Sequence, residues 1–262
     1  DIIRFHTLYW PIFLMALGEP LPKQIFGHPW LLFGSDKMSK SKGNVIYADD
    51  LIRRFGLDGV RYYLLSEMPY QNDGTITYEN FIARYNTDLA NTLGNLVSRT
   101  VAMTKKYFDG VIPSPAGDEG PDAELKAAAA DAYANFTANM DTFRAADALD
   151  AVFTLLRRAN KYIDETAPWA LAKDEAQRAR LGTVLYNLLE SLRIAAILLR
   201  PAIPDSAEKI LAAIGSPDDR FESAAAFGIT RPGNTVGEQS VLFARLDEMK
   251  TLAELNAEKA EA

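Results

Sequence analysis

From residue 78 onward, apolar side chains recur at helical spacing almost without interruption, whereas the first 70 residues mix helical, strand-like and polar stretches. Ile2, Phe5, Tyr9 and Phe13 predict a short helix over residues 1–17, which Pro11 limits or kinks. A turn-rich Gly-Glu-Pro-Leu-Pro run at 18–22 follows. Residues 24–33 carry Ile25, Phe26, Trp30, Leu31, Leu32 and Phe33 and predict one or two buried strands. Residues 34–44 form a polar, lysine-rich loop. Two short helices are predicted over 48–55 and 58–67, parted at Gly56-Leu57, with Asp58 placed to cap the second. Residues 69–77 read as a loop.

Phe81, Tyr85, Leu89, Leu93, Leu96 and Val97, then Met103 and Tyr107, make one apolar stripe for a long helix or two joined ones. A connector rich in glycine and proline covers 110–121. Helices are then predicted over 123–141, 143–166 and 175–200, with Pro201 and Pro204 ending the last, and a shorter one over 206–214. Beyond 215 the pattern is irregular until 246–262, whose charged, alanine-rich sequence predicts a solvated helix. The expected architecture is α/β plus α. A partial α/β unit over 1–70 precedes an antiparallel helix bundle over 71–230 and a C-terminal tail or linker over 231–262.

Composition narrows the class. A hydrophobic content of 48% with 24% charged residues is that of an ordinary soluble globular chain. The longest uncharged apolar run, residues 8–17, is too short to cross a bilayer and contains Pro11, so no membrane role is expected. Cysteine is absent, which fits a reducing cytoplasm and removes thiolate metal ligands. The histidines, His6 and His28, are too few for a zinc site here. The chain opens on Asp1 with no basic leader and reads as a piece of something longer. The net charge of −7 is uneven: residues 1–110 hold 12 Lys/Arg against 11 Asp/Glu, and residues 111–262 hold 16 against 24. Any nucleic acid must therefore be met by a local surface rather than by bulk charge.

The densest chemistry lies in Gly34-Ser35-Asp36-Lys37-Met38-Ser39-Lys40-Ser41-Lys42-Gly43-Asn44. Three lysines within six residues, spaced by serines and followed by glycine, suit a loop that closes over phosphates. Lysine supplies charge where phosphate oxygens gain it, and serines and backbone N–H groups add hydrogen bonds.

Lys37-Met38-Ser39-Lys40-Ser41 resembles the second signature of class I aminoacyl-tRNA synthetases, and Lys42-Gly43-Asn44 is a frequent extension of it. The resemblance implies a Rossmann-type fold that activates an amino acid with ATP and transfers it to tRNA. It implies that Lys40, assisted by Lys37, stabilises the transition state, with Ser39 and Ser41 also at the ATP site. ATP would enter as substrate with Mg2+, and no zinc is expected in this stretch.

The lysine loop is shared among specificities, but its flanks are not. The segment from Asp1 to Pro11 resembles methionyl-tRNA synthetases, in which the residues matching Ile2 and His6 line the methionine pocket. His28, Trp30 and Leu31 match the strand that meets adenine. There the chain departs from the family's usual His-Gly, carrying Pro29, which removes a backbone donor. Asn91, Asn95 and Arg99 stand at i, i+4 and i+8, hence on one helical face, and Trp169 follows Pro168 at a helix end. Their matches in methionyl enzymes recognise the CAU anticodon. Amides and guanidinium can read splayed bases, and indole offers a stacking platform. The resemblance runs from Asp1 to about Asp247. It implies methionine, ATP and tRNA(Met) as partners and leaves oligomeric state open.

The family's earlier His-Ile-Gly-His-type signature does not occur in these 262 residues, so the chain alone is not expected to form methionyl-adenylate. Two other readings compete. One is a class I enzyme for another amino acid, which leaves Asn95, Arg99 and Trp169 without a common purpose. The other is a non-catalytic, synthetase-derived tRNA-binding module, which has no use for an ATP loop.

Overall fold

The computed structural model describes residues 2–34, 36–38, 45–67, 70, 72–216, 218–238 and 240–261, with the side chains at 36, 37 and 258–261 outside that description. Helix α1 spans Ile2–Leu17. Pro11 neither ends nor breaks it. The turn before Pro11, Phe5–Tyr9, is π-helical, and Trp10 N–H reaches back five residues to the Phe5 carbonyl. That wider turn absorbs the ring that would otherwise crowd the carbonyl four residues back.

The stretch expected to hold buried strands forms only one, β1, Leu31–Phe33, and it is half-buried. Residues 24–28 form no regular element and are exposed, for local reasons. Pro29 has no N–H for a ladder, His28 Nδ1 lies 2.8 Å from the Pro29 carbonyl, and Trp30 N–H donates to Asp73 Oδ1 at 2.9 Å. A left-handed Gly34 (φ 62°) then turns the chain into β2, Asp36–Lys37, antiparallel to β1. Lys37, expected in a loop, is thus a strand residue paired with Leu32. A third strand, β3, Gly74–Ile76, lies parallel to β1 in a stretch that reads as loop from sequence. The sheet order is β2-β1-β3.

Helix α2, Ala48–Glu67, makes the crossover from β1 to β3. It breaks at Gly56, whose φ of 75° and ψ of 157° no side-chain-bearing residue holds without strain. Asp58 does not cap its own helix. Its buried carboxylate accepts the Ser206 N–H at 2.6 Å, serving a helix 148 residues further on.

The rest is a helix bundle. Helix α3 runs unbroken over residues 78–108, capped by Thr77, and contains a ten-residue π-helical stretch, Tyr85–Gly94. Helices α4 (Gly120–Asp141) and α5 (Ala145–Thr166) form an antiparallel pair, and the four-residue α6 is Pro168–Leu171. Helix α7, Arg178–Leu199, is the axis of the core: every residue from Leu181 to Leu199 is buried. Its apolar character suits a membrane by composition, but here the bundle wraps it completely. Helix α8 is Pro204–Ala213 and α9 is Glu248–Glu261.

The tail helix is solvated on one side, as its composition suggests, but packed on the other. Leu255 is 4% exposed, and Glu254 pairs with Arg54 of α2 at 2.5 Å.

Two buried polar clusters pin the bundle. Asp122 at the start of α4 accepts from Tyr162 Oη (2.5 Å), Arg180 (2.5 and 3.0 Å) and the Glu119 N–H (2.8 Å). Glu190 and Arg193 on α7 pair at 2.7 Å. Glu190 also accepts the N–H groups of Gly228, Ile229 and Thr230, and Arg193 donates to the Ser223 and Ala226 carbonyls. Together they strap residues 221–230 across the core.

Candidate functional site

The candidate residues fall into two groups along the chain, before and after α2. The first flanks the lysine-rich segment in sequence. Leu31 opens β1, Trp30 precedes it and is 55% exposed, and Lys37 closes β2 beside it. One hairpin therefore carries the residues expected at adenine and at phosphate. His28, exposed, lies just upstream. Lys40, Ser39 and Ser41 lie outside the described residues, as does the side chain of Lys37.

Ile2 and His6 stand one turn apart on α1, where His6 Nδ1 lies 2.8 Å from the Ile2 carbonyl. His6 sits inside the π-helical turn, a distortion often found at functional positions. Both side chains are exposed, with Ile2 at 70%. Helix α1 meets the pre-β1 segment at Gly27, where an added Cβ would lie 2.5 Å from Ile3 Cδ1. The rest of α1 presents Phe5, Leu8, Trp10, Phe13 and Leu17 to solvent, an apolar surface of the kind that marks a contact region.

The second group lies on the bundle. Asn95 and Arg99 are one α-turn apart, but Asn91 belongs to the π-helical stretch, and the Asn95 N–H bonds the Ala90 carbonyl five residues back. The expected single α-helical face therefore holds from Asn95 to Arg99 and not back to Asn91. The wider π turn changes the angular step between Asn91 and Asn95.

Asn91 and Asn95 are exposed and Arg99 is half-buried. Arg99 faces Asp164 of α5 at 3.8 Å. Helix α5 ends on Ala167 in the left-handed region (φ 42°), and Pro168 at once starts α6, leaving Trp169 45% exposed. Asp164 and Asn160, one turn apart on α5, both reach α3. Asn160 Nδ2 donates to the Thr92 carbonyl at 3.0 Å. Sequence spacing did not single out either residue, because only packing shows which polar positions of α5 face α3.

Helix α2 joins the two groups. Tyr62 Oη donates to Asp88 inside the π stretch at 2.8 Å, and Arg84 bridges Asp88 (3.0 Å) and Glu67 (2.5 Å). Burial first, then the Asp88 charge, raises the Tyr62 phenol well above its ordinary range, so it remains a donor. Arg61 donates to the Pro201 (2.7 Å) and Ala202 (3.0 Å) carbonyls beside the Asp58–Ser206 bond. Among the described residues, no group of three or more His, Cys, Asp or Glu could hold a metal ion.

A β-α-β crossover around a lysine-rich segment, followed by an all-α bundle, fits the class I aminoacyl-tRNA synthetases. Residues 1–101 match class I tRNA synthetases of the methionine group. Residues 113–258 match the anticodon binding domain of methionyl tRNA ligase. The chain belongs to the methionyl-tRNA ligase family, as a partial Rossmann-type domain followed by a helical anticodon-binding domain.

It is 54% identical over 261 residues to the methionine–tRNA ligase of Clostridium acetobutylicum, covering 100% of this chain and 40% of that protein. The Clostridium perfringens ligase is 51% identical over 259 residues, 99% of this chain and again 40% of the relative. A Mycobacterium tuberculosis methionyl-tRNA synthetase in complex with methionyl-adenylate matches with a TM-score of 0.87 at 42% identity, over 94% of this chain and 48% of that one. The apo form of the mycobacterial enzyme gives 0.84 at 38% identity, over the same shares. The chain thus spans about 40% of the length of the curated relatives it matches.

Proposed function

We propose that this chain supplies the ATP loop and the anticodon-reading bundle of a methionine–tRNA ligase. The methionine carboxylate attacks the α-phosphorus of ATP and expels pyrophosphate. The terminal hydroxyl of tRNA(Met) then attacks the acyl carbon of the adenylate and releases AMP. In that scheme Lys40, with Lys37, meets the charge that develops on the phosphate oxygens. Ser39 and Ser41 add hydrogen bonds, His28, Trp30 and Leu31 border adenine, and Mg2+ accompanies ATP as part of the substrate. Ile2 and His6 would contact the methionine side chain, a soft thioether suited to apolar surface with one polar neighbour. The exposed apolar face of α1 is the surface on which we expect the remainder of a catalytic domain to pack. We propose a cytoplasmic setting, in keeping with a cysteine-free chain.

The observation that carries the reading is the approach of α5 to the helix bearing Asn95 and Arg99: Asp164, five residues before Trp169, lies 3.8 Å from Arg99. We propose that the Asn95 amide, the Arg99 guanidinium and the exposed Trp169 indole serve one recognition surface of the bundle, which begins near residue 71. Asn91 completes the set from the π stretch. The decisive measurement is the affinity of the 262-residue chain for two anticodon stem-loop RNAs, one reading CAU and one changed to UAU. A preference for CAU is expected, and equal affinities would overturn the reading.

ATP–pyrophosphate exchange with methionine is expected to be negligible for the same chain, because no His-Ile-Gly-His-type signature occurs in it. Robust exchange would refute that expectation. An intact lysine loop favours this reading over a purely RNA-binding module.

A further inference from the structure

We propose that Asn160 is a positioning residue for anticodon recognition. The inference rests on the reading of Asn91, Asn95, Arg99 and Trp169 given above. Helix α3 changes from π to α geometry just where the first two of these residues lie: the Asn95 N–H bonds the carbonyl five residues back, and α-helix resumes at Asn95. At such a handover the ladder skips an acceptor, and the angle between successive side chains is no longer fixed by regular helix geometry. Asn91 and Thr92 occupy the handover. Contacts from outside the helix bear directly on its phase there.

Among the described residues, three side chains tie the π stretch to other elements by hydrogen bonds. Asn86 exchanges two hydrogen bonds with the Leu246 backbone (2.8 and 3.0 Å), and Asp88 accepts from Tyr62 at 2.8 Å. Both grip its first half. Asn160 alone among these grips the end nearest the candidate readers. Its amide nitrogen spends one hydrogen on the Thr92 carbonyl and one on the Leu156 carbonyl of its own helix, both at 3.0 Å. With both N–H groups committed, the amide is a rigid strut between α5 and the α3 handover. One turn on, Asp164 meets Arg99, so the same face of α5 touches the recognition helix on both sides of Asn95.

Asn160 acts through the azimuth of Asn91 and Asn95 and touches no RNA itself. A bond with only a structural role would alter stability and leave discrimination alone.

The test is a double-mutant cycle on the 262-residue chain, read as affinity for the CAU and UAU stem-loops. Asn160→Ala is expected to weaken CAU binding about 5-fold, with UAU binding changed less than about 2-fold. Asn95→Ala is expected to lose at least about 3-fold less CAU affinity in the Asn160→Ala background than alone. Asn160→Asp, which keeps the shape and loses the donor, serves if the alanine variant does not fold. Its added charge repels both RNAs equally and cancels in the CAU:UAU ratio. Additive losses, or equal weakening of the two RNAs, would overturn the role of Asn160 while leaving the anticodon reading intact. Absence of any CAU preference in the unmutated chain would remove that reading, and the role of Asn160 with it.

Discussion

Trp169 is set by three consecutive backbone choices. Helix α5 ends because Ala167 turns left-handed, Pro168 opens α6, and the indole that follows stays 45% exposed rather than joining the core. An indole left half in water suits base stacking, worth about 1–3 kcal/mol per base. Trp169→Ala is therefore expected to lower affinity for the CAU stem-loop by roughly 10-fold, with Trp169→Phe retaining most of it. Neither variant should move the thermal midpoint by much, because the ring adds little to the core. Equal losses for Phe and Ala in an equilibrium binding assay would argue against stacking.

At this scale the sequence was informative about identity and less so about geometry. The strings around Asn95, Arg99 and Trp169 were readable, but the spacing i, i+4, i+8 assumed an α-helix. A π stretch has no compositional signature strong enough to correct that assumption. Asn160 and Asp164 were invisible because partnership across helices is not written in either helix alone.

Elements divide by how local their causes are. The helices of the bundle were legible nearly end to end, since an apolar stripe at 3.6-residue spacing and a proline or glycine stop are local signals. The strands were not. β3 is three residues long and gains its order from pairing with β1 across a forty-residue crossover, a cause that no window on 69–77 contains. Of the one or two strands expected over 24–33 only Leu31–Phe33 forms, for the converse reason: Pro29 and the Asp73 contact remove donors from the ladder. The tail helix α9 looked solvated because its few apolar residues mattered only once α2 and α3 offered a place for Leu255.

Helix α7 depends on one buried ion pair. Glu190 and Arg193 are fully buried and saturated with partners, and three of those partners are backbone N–H groups of the strap over residues 228–230. Removing one member of a buried pair leaves an uncompensated charge, so Glu190→Gln is expected to cost about 3–5 kcal/mol in denaturant unfolding. Replacing both residues by leucine often restores stability in buried pairs. Here it should not, because the strap amides would lose their acceptor. A double variant as stable as the unmutated chain would show that the strap finds other partners.

Over the whole molecule, stability is distributed unevenly. The bundle buries α7 on all sides, while α1 and residues 20–30 keep large apolar side chains in water. Local opening should be cheap at the N-terminal end and approach the global free energy in α7. Hydrogen exchange is expected to show α7 amides protected longest and residues 2–30 exchanging orders of magnitude sooner.

The pH response follows from the same core. Burial alone would push the Asp122 carboxyl upward, but hydrogen bonds from Arg180 and Tyr162 outweigh it and hold the group below its ordinary range. Glu190 is likewise opposed by burial and held low by Arg193 and the Thr230 and Ile229 contacts. A carboxylate whose folded-state value is depressed stabilises the fold above its unfolded value, near pH 4, and loses that contribution as pH falls towards the folded value. The phenols act in the opposite direction. Tyr62 and Tyr162 are raised by burial and by donation to Asp88 and Asp122, so their contribution is complete below about pH 10 and lost above it. The unfolding midpoint is therefore expected to be flat between about pH 5 and 9 and to fall on both sides. Asp122→Asn should lower stability at pH 7 and flatten the acid limb, since it removes one depressed carboxylate. It should flatten the alkaline limb as well, because Tyr162 loses the charged acceptor that helps hold its proton. An acid limb of unchanged slope in that variant would place the acid sensitivity outside the Asp122–Tyr162–Arg180 cluster.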